Sequence, residues 1–255
     1  MVGESWQVDL ELEGSLDEQG MVLDFGDIKK QVKNLIDDTF DHKLLVPADY
    51  QGLQVDKHDE STEIKFSLSD GGSIEHRSPN DAIRFIDSQA VTIESLTPEI
   101  IAALEPHLPD NVNSVQLRLW PEHCEDAYYH YSHGLKHHEG NCQRIAHGHR
   151  SRIVIYRNGS RDPALERSWA EQWKDIYIGT KEDVVDQSND YLTFSYTSIQ
   201  GEFLLKMPAK RCYLVDTDST VENLAAHIAE VLKQLHPGED IKIYAYEGVD
   251  KGAIG

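Results

Sequence analysis

A diverged internal repeat constrains this chain more than any other feature. Val8-Asp-Leu-Glu-Leu-Glu-Gly14-Ser15 resembles Ile153-Val-Ile-Tyr-Arg-Asn-Gly159-Ser160, and Thr92-Ile-Glu94-Ser-Leu96 resembles Thr220-Val-Glu222-Asn-Leu224. A chain built of two similar stretches folds as two similar modules. The helix that follows in each copy leads on to an alternating strand with a glutamate near its end, Glu122 in the first copy and Glu247 in the second. From Gly14 to Thr92 is 78 positions and from Gly159 to Thr220 is 61, so the second copy is shorter by 17 there. The expected loss is a counterpart to a long helix over 27–40 and the Asp41-His42 that trails it. The boundary falls near 125–128, giving modules 1–127 and 128–255.

Local patterns give an α+β class. Val8, Leu10 and Leu12, then Val115, Leu117 and Leu119, then Ile241, Ile243 and Ala245 alternate with polar residues, the period of half-buried antiparallel strands. Further strands are expected near 19–25, 62–67, 150–156, 191–196, 202–206 and 211–215. Helical spacing predicts 27–40 with Asp27 as N-cap, 97–107 with Thr97 as cap and Pro98 at N1, and 219–235 behind a Ser219/Glu222 capping box. A shorter helix over 163–174 carries Leu165, Trp169 and Trp173 on one face. Strands and helices without a regular βαβ rhythm argue against a parallel doubly wound sheet.

Charge narrows the partners. With 24 Lys+Arg against 45 Asp+Glu, the formal net charge is −21 over 255 residues. That field repels nucleic acid and anionic lipid, while an anionic small molecule remains accessible because exposed charges are screened within about 8 Å. No apolar run approaches the ~20 residues of a membrane helix, and the N-terminal stretch shows no secretory leader. Three cysteines without a Cys-x-x-Cys fit a reduced, cytoplasmic protein.

Six of the 13 histidines lie between 130 and 149. His147-Gly148-His149 leads into a strand, where residues i and i+2 share a face, so both imidazoles can meet one metal ion. His133 could return on a neighbouring strand as a third ligand. Three neutral histidines with one open position is the pattern of catalytic zinc; the competing reading is a solvated, His-rich loop. His137 and His138 are expected on the surface. Cys142, five positions before His147, is a candidate base or nucleophile if a nearby cation favours its thiolate, and otherwise an inert thiol. Cys124 and Cys212 read as structural. Asp41-His42 is either a helix-end dipole partner or an ionisable pair for catalysis. Glu247 continues the core parity of Ile241–Ala245, where a carboxylate needs a partner such as two ligand N–H groups, unless a bulge turns it to solvent. Glu222 has a capping explanation, and Glu122 lies off the parity of its strand.

Tyr131-Ser132-His133-Gly134-Leu135, Cys142 and His147-Gly148-His149 together resemble the zinc segment of the 6-pyruvoyltetrahydropterin and 6-carboxytetrahydropterin synthase family. Gly20-Met21-Val22-Leu23-Asp24-Phe25 with Ile28-Lys29 resembles that family's hairpin and first helix. Asp41-His42-Lys43-Leu44-Leu45 resembles its Asp-His motif, Thr220-Val-Glu222-Asn-Leu224-Ala225 its second-helix start, and Ile241–Glu247 its last strand. The matches touch most of the chain except roughly 50–90 and 160–212. The motifs are divided between the copies. The first carries Asp41-His42 but has Val2-Gly3-Glu4 where the second has His147-Gly148-His149; the second carries the histidines, Cys142 and Glu247 but no Asp-His.

The resemblance implies tandem tunnelling-fold modules, with antiparallel sheets and paired helices on one face assembled into an oligomeric barrel. It also implies a strand ahead of Val2-Gly3-Glu4, so either this copy has lost that strand or the natural N-terminus lies further upstream. The implied activity is a zinc-dependent lyase acting on dihydroneopterin triphosphate. The metal would be on His133, His147 and His149, Cys142 would be polarised by Asp41 and His42, and Glu247, with Thr220 and Glu222 nearby, would hold the pterin. The product is a 6-carboxy- or 6-pyruvoyl-tetrahydropterin, with the carboxy product of the queuosine route favoured by analogy, and the site is shared between subunits of a homo-oligomer. A rival reading is an inactive, zinc-stabilised pterin- or purine-binding oligomer. A third, a zinc hydrolase with Glu139 as base, has only that one residue behind it.

Overall fold

The computed structural model describes residues 1–248 and 250–255. Its elements come in two parallel series. The first runs β1 (Trp6–Gly14), α1 (Phe25–Thr39), β2 (Leu44–Pro47), β3 (Leu53–Lys57), β4 (Ser61–Ser67), β5 (Ser73–Pro79), β6 (Ile83–Ile86), α2 (Ile93–Leu104) and β7 (Val112–Pro121). The second runs β8 (Tyr128–His133), β9 (His147–Arg157), β10 (Ser160–Arg161), α3 (Pro163–Gln172), β11 (Ile176–Thr180), β12 (Val184–Gln187) and β13 (Tyr191–Ser198). It continues through β14 (Gly201–Pro208), β15 (Cys212–Val215), α4 (Val221–Leu235), β16 (Ile241–Tyr246) and β17 (Gly252–Ile254).

The repeat is visible in the strand pairing. β1 pairs antiparallel with β7, placing Val8 opposite Leu119 and Leu10 opposite Leu117. β9 pairs antiparallel with β16, placing Ile153 opposite Ala245 and Ile155 opposite Ile243. β2 runs parallel to β6, as β11 does to β15. In this shared register Pro121, not Glu122, occupies the place of Glu247.

Two compact units result, and they do not follow a cut at a single position. One comprises Trp6–Leu53 and Asp81–Pro121; the other comprises Met1–Ser5, Gln54–Asn80 and Glu122–Gly255. In the smaller unit, Leu96, Ile100 and Leu104 of α2 pack with Leu119, Leu117 and Leu10 of the β1–β7 ribbon, and Val32, Leu35 and Ile36 of α1 join them. In the larger unit the order β15-β11-β8-β9-β16-β17 forms one sheet. Its core face, with Tyr129, Tyr131, Ile153, Ile155 and Ile243, is covered by Trp169 of α3 and by Leu224, Ile228 and Leu232 of α4. A second sheet, β12-β13-β14-β5-β4-β3, joins the hairpins of both series through the antiparallel β5–β14 pair. Each unit thus packs paired helices against an antiparallel strand pair, β1–β7 in the smaller and β9–β16 in the larger.

Several local expectations are corrected. The N-cap of α1 is Asp24, which accepts from Gly26 and Asp27 N–H, rather than Asp27. No strand forms over 19–25, because Asp17 Oδ1 accepts from Gln19 and Met21 N–H and turns the chain there. α2 begins at Ile93 behind a reciprocal Thr92/Ser95 capping box, leaving Pro98 inside the helix rather than at its start. Two satisfied donors at Thr92 outweigh the one N–H that Pro98 cannot offer. α4 is capped by Thr220, which accepts from Asn223 N–H, and not by a Ser219/Glu222 box. The second series does contain a counterpart of α1: α3 stands in the same place, shortened from 15 residues to 10.

Candidate metal centre

The antiparallel β8–β9 pair sets Tyr131 opposite His149 and His133 opposite His147. Alternation turns His133, His147 and His149 to the same face, at the polar end of the large unit's core. His133 and His147 are buried and His149 half-buried. Their ring centroids lie 4.3 Å apart for His133–His147, 5.3 Å for His133–His149 and 5.5 Å for His147–His149. One nitrogen from each falls within 4.8 Å of the others, a group that could hold a metal ion.

The hydrogen bonds around these rings decide which nitrogen faces the centre. His147 Nδ1 lies 2.8 Å from the Arg144 carbonyl, so it carries the proton and Nε2 carries the lone pair. His133 Nδ1 lies 3.0 Å from the Ser219 carbonyl and 2.9 Å from Ser219 Oγ, with the same consequence. Carbonyl acceptors behind ligating imidazoles fix tautomer and ring angle, as metal sites require. The donor set, neutral imidazole nitrogens from two paired strands, therefore fits a divalent transition metal such as zinc.

Gly148 makes the motif possible. A Cβ there would lie 2.2 Å from the Tyr131 carbonyl oxygen and 2.9 Å from Ser132 Cα, so only glycine lets the two histidines flank this close backbone approach.

Tyr131 is a residue that sequence reasoning passed over. Its ring lies 5.0 Å from that of His133 and 5.4 Å from that of His149, and its hydroxyl is buried with no hydrogen-bond partner among the described residues. Burial first, then the charges of Tyr129, Glu247 and Cys142, push the phenol well above its ordinary range and keep it protonated. Its signal in the sequence was parity with His133. Ser219 had no such signal: it is 86 positions from His133 and was read as a cap.

Among the other expected residues, half-buried Cys142 sits in the turn Asn141–Gln143, and its carbonyl accepts from Leu135 N–H at 2.9 Å. Glu247 follows β16, is half-buried, and its N–H donates to the Lys251 carbonyl at 2.9 Å. Thr220 starts α4, with Glu222 exposed in its first turn. Asp41 and His42 follow α1 in the smaller unit, with His42 Nδ1 2.7 Å from Asp41 Oδ2. His137 and His138 are exposed, His137 beside Asp218 at 3.1 Å. His130 faces away from the histidine group and lies between Glu4 at 3.2 Å and Asp175 at 3.4 Å. Burial raises the thiols of Cys124 and Cys212, the latter to about 12, which suits inert roles. No helix among the described residues is long and apolar enough to cross a membrane.

The chain is similar to several known proteins. A protein of Pyrococcus horikoshii provisionally named 6-carboxy-5,6,7,8-tetrahydropterin synthase is 24% identical over 125 residues, covering 47% of this chain and 68% of that protein. Its namesake in Pyrococcus abyssi is 23% identical over the same shares. Among solved structures, the 6-pyruvoyl tetrahydropterin synthase of Plasmodium vivax aligns at 20% identity with a TM-score of 0.37, covering 46% of this chain and 72% of that one. The Plasmodium falciparum enzyme aligns at 15% identity with a TM-score of 0.36, covering 48% and 80%. The family model described as 6-pyruvoyl tetrahydropterin synthase matches twice, over residues 3–130 and again over 122–250. Matched along nearly its whole length by two successive copies of that model, the chain belongs to the 6-pyruvoyl tetrahydropterin synthase family.

Proposed function

We propose that this chain is a zinc-dependent tetrahydropterin synthase that acts on dihydroneopterin triphosphate and removes the triphosphate. The observation that carries the reading is the group of His133, His147 and His149, with Nδ1 of His133 and His147 held by Ser219 and Arg144 acceptors. Zinc bound there supplies a Lewis acid that acidifies the hydroxyl and C–H bonds of the substrate side chain.

Cys142 is the group that takes the proton, with Asp41 and His42 as the ionisable pair that polarises it, from the same chain or from another in a homo-oligomer. Glu247 accepts from the amino and ring N–H groups of the pterin, a bidentate contact that fixes the ring. Thr220 and Glu222 serve in this reading as secondary contacts to the pterin. Tyr131, whose ring packs beside His133 and His149 and whose buried hydroxyl has no partner among the described residues, is a further hydroxyl donor. The name borne by the Pyrococcus relatives favours the 6-carboxy product over the 6-pyruvoyl one.

Zinc-loaded protein incubated with dihydroneopterin triphosphate should release inorganic triphosphate and yield a 6-substituted tetrahydropterin identified by mass. Unchanged substrate, with zinc bound in one equivalent, would leave a pterin-binding protein in place of an enzyme.

A further inference from the structure

We infer that Gln200 is a positioning residue for the metal centre, acting through the turn that carries Cys142. It lies at the tip of the β13–β14 hairpin, where Ser198 pairs with Gly201 and Ile199-Gln200 makes the two-residue turn. Ile199 beside it is 87% exposed, whereas Gln200 is drawn inward. The reason is its hydrogen bonding. Both ends of the Gln200 side chain are engaged: Arg144 Nε donates to Oε1 at 3.0 Å, and Nε2 donates to Asn141 Oδ1 at 2.9 Å. Its backbone N–H donates to Gln143 Oε1 at 2.9 Å. One residue thus holds three of the four positions in 141–144, and Cys142 is the fourth.

The same segment meets the metal centre at His147 and is tied to the chain just beyond His133. The Arg144 carbonyl accepts from His147 Nδ1 at 2.8 Å and sets that ring's tautomer. The Cys142 carbonyl ties the segment to Leu135, two residues after His133. Tyr196 adds a fixed post from the same hairpin, its hydroxyl donating to the Gln143 carbonyl at 2.7 Å. The hairpin needs none of the Gln200 side chain for its own pairing, which is complete in the backbone register from Tyr191–Pro208 to Ser198–Gly201. The side chain serves the turn, and through it the orientation of a ligand ring and a thiol.

The metal part of this inference rests on the proposed function. Gln200→Ala and Gln200→Glu are compared with the unaltered chain by zinc competition against a chromophoric chelator, and by amide hydrogen exchange of the metal-free protein. Loss of a direct outer partner of a metal ligand typically costs 10–100-fold in affinity, and Gln200 acts one contact further out, so Gln200→Ala should weaken zinc binding by a few-fold to about ten-fold. It should also speed exchange over 141–147 and leave that of β13 and β14 unchanged. Gln200→Glu keeps the acceptor for Arg144, and Asn141 can turn its amide to donate, so most of the affinity should return. Wild-type zinc affinity in Gln200→Ala would overturn the inference, as would loss of β13–β14 protection without rescue by glutamate. If the unaltered chain takes up no zinc, the proposed function fails, and exchange over 141–147 decides alone: unchanged protection overturns the positioning role and faster exchange supports it.

Discussion

His42 and Asp175 are structural equivalents: each takes a left-handed backbone conformation, φ +54°, two residues beyond the aromatic residue that caps its helix, Phe40 for α1 and Trp173 for α3. Non-glycine residues adopt that conformation sparingly, and aspartate and histidine are among those that tolerate it. Asp41-His42 in the first series therefore becomes Lys174-Asp175 in the second. The second series kept the shape of this helix end and exchanged its chemistry. Asp175 there is a partner of His130, 3.4 Å away. The position is retained while the ionisable Asp-His pair occurs in the first series alone, as the histidine group occurs in the second alone.

That division sets the first prediction. Cys142→Ala and His42→Ala should each abolish turnover of dihydroneopterin triphosphate without loss of fold. If the pair and the thiol meet across chains, mixing the two variants restores part of the activity, as subunits that each retain one good half combine. If they meet within one chain, mixing restores nothing. Full activity in the His42→Ala variant would remove the pair from the mechanism.

One zinc per chain is expected by metal analysis, and His147→Ala should lose it. Gly148→Ala should lose it as well without touching a ligand, because its Cβ would lie 2.2 Å from the Tyr131 carbonyl and force β8 and β9 apart. Two equivalents of metal, or full occupancy in Gly148→Ala, would contradict the assigned group.

Replacing Glu247 by glutamine preserves shape and removes the charge-assisted acceptor. We expect kcat/KM to fall on the order of 10²-fold, carried mainly by KM, with little change in the unfolding midpoint. An unchanged KM would place the pterin elsewhere.

Thr220→Ala should destabilise the chain by about 1 kcal/mol through loss of the α4 cap, read as a shift in denaturant midpoint. Glu222→Gln should cost only a few tenths of a kcal/mol from the helix dipole. A rise in KM for Glu222→Gln at unchanged stability would assign it a substrate contact.

His76 gives a pH prediction. It is 3% exposed in the six-stranded sheet, with Nε2 2.9 Å from Ser78 Oγ, and burial lowers its pKa from 6.5 to about 4. The unfolded chain binds a proton below pH 6.5 that the folded chain resists until about pH 4. Stability present above pH 6.5 is therefore lost as pH falls towards 4, by about 3 kcal/mol in all. Urea midpoints of the unaltered chain and of His76→Gln should converge between pH 7 and pH 5. Parallel curves would refute the assignment.

The sequence by itself determined what is written along the chain: two copies, their strand and helix periods, Thr92 and Thr220 as equivalent positions, and His147 and His149 on one face. Those follow from side-chain spacing and from a fixed offset between copies, which need no knowledge of distant partners. Helix starts differ from the sequence expectation at Asp24 and Thr92, because several residues nearby could cap and the choice depends on which side chain reaches the free N–H groups of the first turn. Only the tertiary structure decided that His133 stands opposite His147, since register is a choice among pairings of separate strands. It alone chose Ser219 as the acceptor behind His133, joined the hairpins of both copies in one sheet through β5 and β14, and brought Gln200 to the Cys142 turn. Each of these is a hydrogen bond or packing contact between residues far apart in sequence, so no local pattern can specify it, and the chain settles it only when the whole core closes.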